Sequence, residues 1–125
     1  MRLKYTKEHL WGKPETIDTF TFGLSDFAQK ELGEIVYVEL PDIGMNVASG
    51  APICVIESLK SVSELYAPAE GIINATNRNL IDNNGCRLIN TDPVGAGWIF
   101  SIRFNNPEDF QTLLSPNEYK MLTAE

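Results

Sequence analysis

The segment VIESLKSVSELYAPAEG, residues 55–71, places a single lysine between two short apolar runs. The runs cover residues 52–56 and 65–68, and the polar patch between them contains Lys60. Short runs rich in β-branched residues with a polar interruption predict a β-hairpin, so Lys60 would lie at or near its tip. A primary amine on a rigid turn can be acylated by another enzyme. The hairpin pattern alone, however, favours the simpler interpretation that Lys60 is an ordinary solvent-exposed lysine.

Alternation of apolar and polar residues predicts further strands, the first of which follows a turn at residues 12–15. These strands are expected at residues 16–22, 34–40, 71–76 and 98–104. In the second of them, the alternation places Val36 and Val38 on one face. Ile35 is expected on the opposite face. The pattern therefore predicts a mainly-β chain with many short strands.

Capping residues predict short helices between and after these strands. Ser25 is expected to cap a helix over about residues 26–32, which Gly33 can end in the left-handed conformation. Towards the C-terminus, Asn106 is expected to cap a second helix. A capping box that begins at Ser115 predicts the last helix.

The composition points to a single folded domain with protein partners. The chain has 125 residues, of which 43% are hydrophobic, and this is enough for one compact core. Its formal net charge of −7 disfavours nucleic acid and anionic membranes, and it favours basic docking surfaces on partner proteins. No apolar stretch approaches the roughly 20 residues that span a bilayer, and the start lacks the apolar region of a signal peptide. We therefore expect a cytoplasmic protein with no nucleic-acid or membrane partner.

The residues contain no recognisable catalytic or metal-binding set. There is no ordered pattern of Ser, His and Asp, no Gly-rich phosphate loop, and no close spacing of Cys and His. His9 is the only histidine and is expected to be structural. Cys54 lies in an apolar run and is expected in the core, whereas Cys86 follows a turn and is expected to be exposed. The chain is therefore expected to be a substrate of enzymes rather than an enzyme.

Several segments, in order along nearly the whole chain, match one known pattern. Around the lysine, the matching residues are Glu57, Ser58, Lys60, Ser63, Glu64, Pro68 and Gly71. Further matching segments are HLW at 9–11, FGLSDFAQ at 22–29, LGEIVYVELP at 32–41 and LIN at 88–90. Together they resemble the H-protein family of the glycine cleavage system.

The resemblance implies the fold of lipoyl and biotinyl carriers, as one domain over residues 1–125. This fold is a flattened β-barrel or sandwich of the barrel-sandwich hybrid type, here with one short inserted helix and C-terminal helices. The resemblance also implies that Lys60 carries lipoate in amide linkage. The residues that it places around the attachment site are Glu57, Ser58, Glu64 and His9. We expect Glu57 to assist recognition by the enzyme that attaches lipoate.

The resemblance further implies a non-catalytic carrier whose lipoylated lysine shuttles an aminomethyl group between enzymes. The implied partners are a lipoate ligase or lipoyl transferase, glycine decarboxylase, aminomethyltransferase and dihydrolipoyl dehydrogenase. The carrier itself is expected to be a monomer. In the family, a carboxylate of the His-Glu-Trp segment and an acidic residue four positions after the lysine help to hold the amine. Glu64 fills the second of these positions.

The first position departs from the family pattern, because Leu10 stands where the family has Glu. Leucine cannot pair with an ammonium group, and the carboxylates nearby in sequence are Glu8 and Glu15. Two roles therefore stay open: glycine cleavage, and another lipoate-dependent pathway such as heterodisulfide-reductase-like sulfur oxidation or lipoate relay. A biotin carrier is disfavoured, because biotin attachment usually requires Met on both sides of the lysine and the neighbours here are Leu59 and Ser61. An unmodified interaction protein is disfavoured further, because the full Glu-Ser-x-Lys pattern is present.

Overall fold

Two antiparallel β-sheets make up most of the fold in the computed structural model, which describes residues 3–124. The strands are β1 Lys4–Tyr5, β2 Leu10–Pro14, β3 Thr19–Leu24, β4 Ile35–Glu39, β5 Asn46–Val47, β6 Pro52–Ser58, β7 Val62–Tyr66, β8 Gly71–Thr76 and β9 Phe100–Phe104. The larger sheet has the order β1-β2-β3-β9-β8-β5, and the smaller sheet has the order β4-β6-β7. The predicted mainly-β fold is confirmed.

Short helices link the strands and close the chain. They are α1 Asp26–Leu32, α2 Leu88–Thr91 and α3 Pro116–Thr123, with 3₁₀ helices at Arg78–Leu80, Gly85–Arg87 and Pro107–Thr112. The side chain of Ser25 caps α1, and Gly33 ends it with a φ of +82°. Asn106 caps the last 3₁₀ helix, and Ser115 forms the predicted capping box with Glu118. Within residues 3–124, no helix combines the length and the hydropathy that a bilayer crossing needs.

Side chains from both sheets and from α1 share one hydrophobic core. In the smaller sheet, Ile56 and Leu65 are 0% and 2% exposed, and Ile73 in the larger sheet is 1% exposed. Burial of an aliphatic side chain of this size contributes roughly 1.5–3 kcal/mol. The β6–β7 hairpin is therefore anchored to the rest of the molecule by its inward face.

The connection between β2 and β3 differs from the prediction. The composition predicts a turn at residues 12–15, whereas β2 continues to Pro14 and the chain turns at residues 15–18. A side chain closes this turn, because Thr19 N donates a hydrogen bond to Thr16 Oγ1 at 3.2 Å. Proline is tolerated at the end of a strand, where it costs few ladder hydrogen bonds. Composition signalled a turn in this region but did not show which residues pair across it.

The faces predicted for β4 are wrong. Ile35 and Val38 are both buried, at 1% and 3% exposed, while Val36 is 45% exposed. The register against β6 shifts between Ile35 and Tyr37. The extra residue of such a β-bulge breaks the two-residue alternation, so Val36 points away from the core.

Both cysteines are buried, which confirms the prediction for Cys54 and corrects the one for Cys86. Their side chains are 4% and 6% exposed. Cys86 belongs to the 3₁₀ helix Gly85–Arg87, which packs on β4, and its Sγ donates a hydrogen bond to Ile35 O at 3.5 Å. Burial raises the pKa of the Cys86 thiol, and burial together with nearby Glu39 raises the pKa of Cys54 to about 12. The turn before Cys86 is therefore exposed, but the thiol itself faces inward.

Candidate functional site

Lys60 lies in the turn of the β6–β7 hairpin. The two strands are antiparallel, and Glu57 is paired with Val62 at the end of the ladder next to the turn. Residues 59–61 form the turn, and Lys60 is exposed. The predicted hairpin is confirmed, and the structure presents one primary amine at its tip.

The hydroxyl group of Ser58 organises this turn from the inside. Ser58 is 8% exposed, and its Oγ accepts hydrogen bonds from the backbone N–H groups of Lys60 (3.3 Å) and Ser61 (3.1 Å). Ser58 also donates to Ser61 O, from Oγ at 3.3 Å and from its backbone N–H at 2.8 Å. A serine hydroxyl that binds nearby backbone groups stabilises a turn. The backbone of Lys60 is therefore held in place while its side chain stays in solvent.

The turn rests against the segment that follows α1. The backbone N–H of Leu59 donates a hydrogen bond to Glu34 O at 3.1 Å. The lysine stem runs beside Gly33, since a Cβ built on Gly33 would lie 3.7 Å from Lys60 Cε. Because Gly33 has a positive φ, glycine suits this position better than a residue with a side chain. The end of α1 thus supports the hairpin tip and the lysine together.

Glu57 and Glu64 lie on the outer face of the smaller sheet. Residues paired across neighbouring strands share a face, so this side carries two rows: Tyr37, Glu57 and Val62 in one, Glu39, Val55 and Glu64 in the next. Within residues 3–124, none of these glutamates forms a salt bridge. Glu57 is half-buried and sits in the row next to the turn, where an enzyme that reaches Lys60 would also meet it.

A groove of about 510 Å³ runs between α1 and β7, which is the edge strand of the smaller sheet. Its apolar lining includes Phe27, Ala28, Leu32, Leu65 and Tyr66. Its charged lining consists of Lys7, Glu8, Glu31 and Glu64. Both α1 and β7 have one end beside the hairpin turn, so the groove lies next to the lysine. Since a strand rises about 3.3 Å per residue, Glu64 is no more than about 13 Å from Lys60 along the chain.

His9 also lines this groove, but one of its ring nitrogens is already engaged. His9 Nδ1 lies 2.7 Å from the hydroxyl of Tyr119, which in turn lies 2.7 Å from Ser25 Oγ. Burial raises the pKa of the Tyr119 phenol above its usual value, so the hydroxyl stays protonated at neutral pH. The histidine therefore joins α3 and the start of α1 to the rim of the groove.

The structure separates the carboxylates that the sequence offers near Leu10. Leu10 is fully buried in the core and does not line the groove. Glu8 does line it, together with Glu64. Glu15 lies outside that lining, where it accepts a hydrogen bond from Thr21 Oγ1 at 2.7 Å. Only Glu8, of the two alternatives, is placed where it can meet a cation in the groove.

Residues of α1 belong to the site although the sequence pattern did not assign them to it. Phe27 and Glu31 are four residues apart and therefore lie on one face of the helix. That spacing is visible in the sequence, but it does not show that this face lines a groove with β7. The groove depends on where the helix lies relative to the smaller sheet, which is a tertiary feature.

Comparison with known proteins finds similarity along nearly the whole chain. The family model described as "Glycine cleavage H-protein" matches residues 3–125. The glycine cleavage system H protein of Psychrobacter sp. (strain PRwf-1) is 47% identical over 118 residues, which cover 94% of this chain and 92% of that protein. The protein of the same name from Escherichia coli O127:H6 is 40% identical over 120 residues, with 96% and 92% covered. A crystal structure of a glycine cleavage system H protein from Mycobacterium marinum is similar with a TM-score of 0.80 and 32% identity, covering 96% of this chain and 94% of that one.

Proposed function

The chain belongs to the glycine cleavage H-protein family, and on that basis we propose that it is a lipoyl carrier whose Lys60 holds lipoate in amide linkage. In this role the modified lysine shuttles an aminomethyl group between the enzymes of glycine cleavage. The observation that carries the proposal is the exposed amine of Lys60 on a turn whose backbone is fixed by Ser58 and Glu34. An amine held in this way can enter the active site of a modifying enzyme without any rearrangement of the carrier.

Attachment requires Lys60 Nζ to react as a neutral nucleophile. The ammonium group first releases one proton, and the Nζ lone pair then forms a C–N bond with the activated acyl carbon that the attaching enzyme presents. The activating group leaves with the electrons of the bond that breaks, and a second proton is lost from the nitrogen. The product is an uncharged amide, so modification removes one positive charge from the hairpin tip.

The residues near Lys60 fit such a group. Gly33 leaves the lysine stem unobstructed, and the groove between α1 and β7 offers apolar walls against which an aliphatic arm could pack. When bound, lipoate supplies reversible dithiol–disulfide chemistry, as cofactors generally supply the reaction that the protein only positions. Phe27 and Leu32 would exclude water from a group that enters the groove, and Glu64 would bind a cationic amine.

The chain itself performs no bond-making step in this proposal, and other proteins must act on it. The partners are the enzyme that attaches lipoate, then glycine decarboxylase, aminomethyltransferase and dihydrolipoyl dehydrogenase. The formal net charge of −7 and the outer face with Glu39, Glu57 and Glu64 support docking to basic surfaces. Charge complementarity of this kind mainly raises the rate of encounter, and the effect weakens at high salt.

One observation favours a second candidate function. Leu10 is an apolar core residue at the position where the family pattern has a carboxylate, and it lies outside the lining of the groove, so this position places no acidic group there. A carrier that does not have to bind an ammonium group has no need of it. The second candidate is therefore a lipoyl carrier of another pathway, such as heterodisulfide-reductase-like sulfur oxidation or lipoate relay.

The first experiment tests attachment at Lys60. The chain is incubated with a lipoate–protein ligase, lipoate and ATP, and the modified peptide is identified by mass. Lys60→Arg should remain unmodified, while the control Lys120→Arg, which alters an exposed lysine of α3, should be modified at the wild-type rate. Modification of the Lys60→Arg chain, or none of the wild type, would overturn the carrier assignment.

The second experiment separates the two pathways. The lipoylated chain is offered to glycine decarboxylase with glycine and labelled bicarbonate, and label that enters glycine is counted. Exchange of label supports glycine cleavage and shows that Leu10 is a tolerated change. Full lipoylation without exchange would refute glycine cleavage and favour the second candidate.

A further inference from the structure

Asn90, in the short helix α2, joins two segments that support the hairpin tip. Its side-chain Oδ1 accepts a hydrogen bond from the backbone N–H of Ile35 at 2.8 Å. Its Nδ2 donates to Gly33 O and to Gln29 Oε1, both at 2.9 Å. Both hydrogens of this amide group are used, and the three partners lie within α1, at its C-cap and at the start of β4.

The bond to Ile35 reaches the lysine turn through a single peptide group. The N–H of Ile35 and the C=O of Glu34 belong to the same peptide unit. That carbonyl oxygen accepts the hydrogen bond from Leu59 N at 3.1 Å. Because a peptide unit is planar, the direction of its N–H sets the direction of its C=O. Asn90 therefore orients the acceptor that holds the turn residue next to Lys60.

The hydrogen bond from Asn90 to Gly33 O acts on the residue that precedes Glu34, whereas the bond from Ile35 acts on the residue that follows it. Gly33 has a positive φ, and its Cα is the backbone position beside the lysine stem. Glycine in such a conformation has little intrinsic preference for one backbone state, so outside contacts must define it. By holding Gly33 O and Ile35 N together, Asn90 fixes both peptide units that flank Glu34.

We propose that Asn90 is a positioning residue for the modification of Lys60, acting through the Glu34 carbonyl and the backbone of Leu59. The inference rests on the proposed function of Lys60 as the lipoate attachment site. Asn90 does not touch the reacting amine. It limits the movement of the turn, so that the attaching enzyme meets the lysine in one arrangement rather than several.

Asn77 offers a matched control. It has the same pattern of hydrogen bonds, since Nδ2 donates to Ala96 O and Trp98 O at 2.8 Å each and Oδ1 accepts from Asn79 N at 3.2 Å. None of these partners belongs to the hairpin or to residues 33–35. Asn77→Ala should therefore destabilise the fold at least as much as Asn90→Ala without disturbing the turn.

The test compares kcat/KM for lipoylation of the wild type, Asn90→Ala and Asn77→Ala, well below the Tm of each chain. Asn90→Ala is expected to lower kcat/KM roughly threefold to tenfold, equivalent to about 0.7–1.4 kcal/mol, whereas Asn77→Ala should stay within twofold of the wild type. Hydrogen exchange adds a readout that does not need lipoate. The amide of Leu59 should exchange several-fold faster in Asn90→Ala and at the wild-type rate in Asn77→Ala.

A milder variant covers the case in which Asn90→Ala does not fold. Gln29→Met keeps a side chain of similar size in a buried position; of the three hydrogen bonds of Asn90 it removes the one to Gln29, and it also removes the bond from Gln29 Nε2 to Asp26 Oδ1. Relative to Asn77→Ala measured alongside it, Gln29→Met should lower kcat/KM for lipoylation and speed the exchange of the Leu59 amide, each by about twofold. Equal lipoylation and exchange in the Asn90 and Asn77 variants would overturn the inference about Asn90. A wild-type chain that takes no lipoate would instead overturn the proposed function, while the exchange measurement would still judge the role of Asn90 in the turn.

Discussion

Replacing Ser58 with alanine is expected to loosen the turn that carries Lys60 while the fold stays intact. The variant removes three hydrogen bonds of Ser58 Oγ, at 3.1–3.3 Å, and keeps the backbone bond from Ser58 N to Ser61 O at 2.8 Å. The Cβ remains, so no cavity larger than a hydroxyl group forms. The perturbation is therefore confined to the polar contacts inside the turn.

The expected loss of stability follows from the geometry of these bonds. A typical hydrogen bond contributes about 0.5–1.5 kcal/mol net, and three long bonds belong at the lower end of that range. The N–H groups of Lys60 and Ser61 belong to exposed residues and can turn to water, so no large penalty for unpaired groups is added. A total of about 1–2 kcal/mol follows, which for a chain of this length lowers Tm by roughly 4–8 °C.

Thermal unfolding followed by circular dichroism, together with the rate of enzymatic lipoylation, measures both consequences. Ser101→Ala is the control, because Ser101 is also buried but accepts a single side-chain hydrogen bond from Asn74 Nδ2 at 3.3 Å, remote from the turn. Ser58→Ala should lower the lipoylation rate several-fold more than Ser101→Ala. A wild-type Tm together with a wild-type lipoylation rate for Ser58→Ala would refute the account of how the turn is held.

Other substitutions and reagents test the rest of the structure. Tyr119→Phe removes a hydroxyl with two side-chain partners but keeps the aromatic packing, so it should cost about 1–2 kcal/mol in urea unfolding; an unchanged midpoint would contradict this. Gly71→Ala would press a Cβ against the backbone carbonyl of Arg103, so it should cost at least about 1–3 kcal/mol, and a wild-type Tm would argue against the β8–β9 geometry. Cys54, with its pKa near 12, and the buried Cys86 should resist thiol reagents at pH 8 until urea unfolds the chain, and rapid labelling of the folded chain would show that the core is more open than described.

The lysine turn could be predicted from sequence because its signals are local. Strand-forming residues on both sides of a polar patch specify a hairpin, and the capping residues around Ser25 and Ser115 specify helix starts within a few positions. Each of these features depends on neighbours only a few residues away. The resemblance around Lys60 then supplied the chemistry that the residues alone left open, since an exposed turn lysine has no property of its own that names its modification.

Other parts of the site could not be predicted because distant segments create them. Gly33 supports Lys60, which is 27 positions further along the chain, and Asn90 reaches Ile35 across an even longer separation. The β-bulge in β4 exposes Val36 against the alternation, because pairing with β6 rather than local sequence sets the register. Cys86 follows a turn, yet its thiol is buried against β4.

By itself, the sequence determined the mainly-β character, the hairpin with Lys60 at its tip, the helix caps and the negative charge, because all of these follow from local pattern or composition. Only the tertiary structure decided that α1 and β7 enclose a groove beside the lysine, that Glu8 rather than Glu15 lines it, and that Asn90 supports the turn. The physical reason is the distance along the chain over which each kind of contact forms. Hydrogen-bonded turns and caps are specified within a few residues, whereas grooves and packed supports arise only when burial of the core brings remote segments into contact.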